Sequence, residues 1–96
     1  MSDKKLYQQK MHAQLDEWRA EVGKLKAKTS GASADAQLKM SKQIKTLESK
    51  IEEGKTKLSQ LAEAADDAWE SIKGDVESTW DSLKSAVSDA AVKFKK

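Results

Sequence analysis

The sequence predicts an all-α fold, and three observations predict it. The 96 residues contain no Pro and only four Gly, so little in the chain interrupts a helix. Apolar residues recur in steps of three and four, the spacing of one helix face. A single cluster of turn-forming residues, Thr29-Ser30-Gly31-Ala32-Ser33, divides the pattern. The expected architecture is an antiparallel helical hairpin or coiled coil with a long second helix, bent in one variant into a third helix. At this length the chain is read as one helical domain over residues 1–96.

The first helix is expected over about 3–29. Met11, Leu15, Trp18, Val22 and Leu25 form its heptad seam, which Leu6 and Tyr7 extend toward the N-terminus. Lys24, Lys26 and Lys28 place positive charge at its C-terminal end, where the helix dipole favours it. Gly31 suits a left-handed closing residue, and Ser33 followed by Asp35 reads as an N-cap with an acidic first turn.

The second helical stretch is expected over about 34–94. Its seam runs Ile44, Leu47, Ile51, Gly54, Leu58 and Leu61, then on through Ala65, Ala68 and Ile72. Gly54 on a seam signals either a close helix approach or a mild kink. About 60 helical residues would span roughly 90 Å, so a bend is expected somewhere in 54–67, with Gly54 and Ala64-Ala65-Asp66-Asp67 as the candidate places. Folding about Gly31 sets Leu25 near Leu38, Val22 near Ser41, Trp18 near Lys45 and Leu6 near Lys57, give or take one turn.

From Leu58 onward a second period appears. Leu58, Trp69, Trp80 and Ala91 share one register of eleven; Leu61, Ile72, Leu83 and Phe94 share another; Ala65, Val76 and Val87 share a third. Eleven residues in three turns keep the apolar stripe nearly straight. Trp18, Trp69, Ile72, Val76, Trp80, Leu83, Val87 and Phe94 are therefore the candidate interaction seam. Left in water, such a stripe is a patch that monomers seldom tolerate. It must meet the first helix folded back, a second copy of the chain, another helical protein, or a lipid surface. Residues 1–58 carry a net charge of +5 and residues 59–96 a net −3, which favours self-association over an anionic bilayer.

The residues supply little for chemistry. One His and no Cys cannot build a structural zinc site. Glu52-Glu53 and Asp66-Asp67 are neighbours in sequence and diverge on a helix, so they read as solvated charge. His12 and Asp16, four apart, read as a surface pair. No Gly-rich phosphate loop is present, and no second His stands by to activate a Ser. The expectation is a non-enzymatic protein with no cofactor, metal or small-molecule substrate. Lys39, Lys42, Lys45 and Lys50 line one side of the second helix, but with Arg19 the sole Arg and a net charge of +2 they read as a solvated face, not a nucleic-acid site. Met1-Ser2-Asp3-Lys4-Lys5 leads into no apolar stretch, so a cytoplasmic location is expected.

Trp69-Glu70-Ser71-Ile72-Lys73 and Trp80-Asp81-Ser82-Leu83-Lys84 resemble the eleven-residue amphipathic repeats of exchangeable apolipoproteins. The chain as a whole is similar to short bacterial coiled-coil proteins of unassigned function that carry such a tail. The apolipoprotein resemblance implies reversible binding to a lipid or hydrophobic granule surface. It stands as the alternative to self-association, with Lys73, Lys84 and Lys95 along one edge of the stripe as snorkelling residues.

Overall fold

A computed structural model describes residues 3–93. Three helices follow one another: α1 (Asp3–Thr29), α2 (Ala34–Glu63) and α3 (Trp69–Lys93). No strand occurs among the described residues. The helices run up, down and up in a bundle 52 Å long and under 20 Å across. α1 and α2 pack closely, as do α2 and α3, while the parallel pair α1 and α3 touch more sparsely.

The heptad steps of α1 become its buried face: Met11, Leu15, Val22 and Leu25 all lie in the core. α2 contributes Ile44, Leu47, Ile51, Leu58 and Leu61, and α3 contributes Val76, Trp80, Leu83, Val87 and Ala90. These residues form one cluster, with no charged or polar residue buried among them. Each large aliphatic side chain so removed from water contributes about 1.5–3 kcal/mol before chain entropy is set against it.

The first connection differs from expectation in two respects. No Gly among the described residues has a positive φ, so Gly31 does not close α1 in the left-handed conformation. Instead Gly31 N–H donates to Lys28 O and Ala32 N–H to Thr29 O, tightening the end of α1 into i→i−3 bonds. Ser33 then caps α2, its hydroxyl accepting from the Ala36 amide. The two helices pair in a register shifted from the expected one. Val22 lies across from Glu48 and Ile51, not Ser41, and Lys26 Nζ meets Glu48 at 2.7 Å. Leu38, expected opposite Leu25, is 67% exposed.

The second stretch is broken at residues 64–68, and α2 runs through Gly54 without interruption. Ala64 leaves the helix with φ −70° and ψ 147°. Its N–H still reaches Leu61 O, and the Ala65 carbonyl accepts from both Ala68 and Trp69 to start the next turn. The last turn of α2 contains no basic residue. Lys4, at the start of α1, donates its ammonium to Ala64 O and brings positive charge to that C-terminus. Ala65 and Ala68, expected as seam residues, are exposed in this connection.

Candidate functional site

The candidate seam is defined by α3 and what covers it. Val76, Trp80, Leu83 and Val87 are buried in the core; Trp18, Trp69 and Ile72 are half-buried against it. Phe94 lies outside the described residues. The fold therefore turns most of the stripe inward, onto α1 and α2 of the same chain, which is the folded-back arrangement among those the stripe could meet.

Gly54 is buried in α2 directly beneath α3. A Cβ built there would stand 3.1 Å from Leu83 Cδ1 and 3.1 Å from Trp80 Cζ3. The seam glycine thus serves a close approach: the six-membered ring of Trp80 rests against the α2 backbone. The indole Nε1 of Trp80 is buried without a hydrogen-bond partner among the described residues. Such an orphaned donor costs about 1–3 kcal/mol, a sign that packing of the ring outweighs its polarity here.

Along the sparsely packed α1–α3 side, two aromatic pairs bridge the helices. Tyr7 and Trp69 stand 6.0 Å apart between ring centroids, tilted by 50°. Trp18 and Trp80 repeat the arrangement at 6.0 Å and 55°. Tilted pairs at this distance are favoured by the aromatic quadrupole. Lys73 Nζ lies 5.2 Å from the Tyr7 ring centroid and 5.5 Å from that of Trp69. This lysine is therefore engaged with two ring faces at the edge of the stripe.

The open side forms a shallow cleft of about 280 Å³, bordered by Lys10, Gln14, Glu77, Asp81 and Lys84. Tyr7 OH donates to Glu77 Oε1 at 3.5 Å. Burial, then the Glu77 charge and its hydrogen bond, push the Tyr7 phenol up to about 12. Across the other side of α3, Lys57 approaches Asp75 at 3.9 Å and Lys50 Nζ donates to Ser82 Oγ at 3.2 Å. Lysines of α2 thus meet an acidic and a hydroxyl side chain of α3. His12 and Asp16 are both exposed, and no ion pair joins them. Lys39, Lys42 and Lys45 face solvent, and Lys50 is half-buried beside α3.

Among the described residues, no group of three or more His, Cys, Asp or Glu is placed to hold a metal ion. No helix among them is long and apolar enough to cross a membrane.

Sequence reasoning missed Tyr7 and Lys73 as a joined cluster with Trp69. The available signal was the spacing of Tyr7 and Trp18, eleven apart like Trp69 and Trp80. No curated protein and no solved structure matches the chain. A family model described as the TMP repeat matches residues 69–79 and 80–90. Its units begin at Trp69 and Trp80, so α3 is a helix built from two consecutive segments similar to the TMP repeat.

Proposed function

We propose that this chain is a non-enzymatic helical interaction module that associates with copies of itself through its apolar seam. The observation that carries this reading is the self-complementarity of α3 with α1 and α2. The α3 face bearing Val76, Trp80, Leu83 and Val87 fits a surface that the same chain provides, so every copy carries both halves of the contact, and a second copy can share them once α3 leaves its own core. Charge favours the same pairing, since Lys57 of α2 stands by Asp75 of α3. Light scattering across a series from about 1 μM to about 1 mM tests it. The weight-average mass is expected to rise from the monomer toward the dimer, and a mass that stays monomeric throughout contradicts the proposal.

The alternative reading is an apolipoprotein-like helix that binds lipid or a hydrophobic granule. It is supported by Trp69 and Trp80 opening both repeat units on one face of α3. It requires that face to leave the core, and vesicle binding distinguishes it from the first reading.

A further inference from the structure

The apolar seam continues where the helix does not. Leu61 is the last buried residue of α2 and Val76 the first of α3. In sequence, Ala65, Ala68 and Ile72 join them in the same steps of three and four. Yet Ala65 and Ala68 are exposed in the folded chain, and Ile72 is only half-buried. A helical pattern is therefore written across a connection that the single chain does not use as helix.

Nothing in the connection demands the break. Residues 61–69 contain no Gly or Pro and four Ala, and no described residue has a positive φ. The break opens at Ala64, whose φ of −70° is already helical and whose ψ of 147° is not, and it extends through residue 68. Returning the 64–68 connection to helical dihedrals joins α2 and α3.

The register of α2 against α3 is one that a second copy can reproduce. Lys50 with Ser82 and Lys57 with Asp75 are pairs placed symmetrically about Asp66. Every antiparallel hairpin places its pairs in this way, and a two-fold axis beside Asp66 between two straight helices would repeat the same pairs between copies. On such an axis Ala65 of one copy lies next to Ala68 of the other, and small side chains allow the approach.

We infer that the chain forms an exchanged dimer with a second copy of itself. Residues 34–93 become one helix in each copy, and each α3 packs on α1 and α2 of the other. The buried contacts of α3 are retained, and the Ala65–Ile72 stretch gains a covering partner. The Lys4 bond to Ala64 O is given up, because in a continuous helix that carbonyl accepts from the Ala68 amide. This inference rests on the self-association reading and specifies how the copies join.

The chain has no Cys, so a K50C/S82C variant treated with a short bis-maleimide reports which chain supplies α3. Protein refolded at high concentration is separated by size exclusion, and each fraction is cross-linked and run on a denaturing gel. The dimer fraction is expected to give a covalent dimer and the monomer fraction an internally linked monomer. A dimer fraction that yields only internally linked monomers overturns the exchange and leaves self-association standing. A chain that is monomeric at every concentration overturns both. An A65P variant gives a second reading. Proline there favours the extended conformation of Ala64 and is excluded from a helix interior. The dimer's dissociation constant is expected to rise at least roughly tenfold, with helicity of the monomer kept; an unchanged constant overturns the exchange.

Discussion

The indoles of Trp18 and Trp80 meet at 6.0 Å across two parallel helices, eleven residues beyond the matching contact of Tyr7 with Trp69 on both α1 and α3. The eleven-residue step of the α3 repeat is thus echoed in α1, and the aromatic pairs hold the least densely packed side of the bundle. Trp80 is 4% exposed, so Trp80→Ala is expected to cost about 3–5 kcal/mol of stability. Half-buried Trp18→Ala should cost less. A double-mutant cycle in urea is expected to show a coupling of about 0.5–1.5 kcal/mol, and additive losses would deny the pair a specific role.

Glycines in the helices should respond oppositely to alanine. Gly23 and Gly74 have nothing within 4 Å of an added Cβ, so each change to Ala should stabilise by about 0.5–1 kcal/mol through helix propensity. Gly54→Ala places its methyl against Leu83 and the rigid Trp80 ring at 3.1 Å. Overpacking of about 1–3 kcal/mol should exceed the propensity gain, giving a net loss in thermal unfolding.

Alkaline pH should weaken the fold through Tyr7, the sole tyrosine. Its phenol is raised from 10.0 to about 12 by burial and by Glu77. Because the folded state holds the proton more tightly, this contribution is complete below the unfolded value and is lost as pH rises through the folded one. Ultraviolet difference titration of the phenolate checks the shift. Tyr7→Phe should remove this part of the stability loss between about pH 10 and pH 12.

Lipid vesicles separate the two functional readings. In a Trp18→Phe variant only Trp69 and Trp80 report, and Trp80 is already shielded by the core. Under self-association, emission should remain unchanged when neutral or anionic vesicles are added. A blue shift with neutral vesicles and little with anionic ones would favour the lipid reading, given the net −3 over residues 59–96.

Local features decide the helical class and the ends of α1. The absence of Pro, the three- and four-residue steps, and the Ser33 cap act within a few residues of one another, so they are legible without the fold. The inward faces follow too: Val76, Trp80, Leu83 and Val87 were marked by period alone. What periodicity does not carry is where those faces end up. Residues 64–68 hold no Gly or Pro, only the weak signal of Asp66-Asp67, and breaking the helix there lets the α3 stripe be buried on α1 and α2. The register of α1 on α2, which sets Lys26 beside Glu48, has no composition signal. Gly54 as a landing place for Trp80, Lys73 over two rings, and Lys4 at the α2 terminus all join residues distant in sequence. Such contacts exist only once the helices have packed, because their energy comes from surfaces that no single segment possesses.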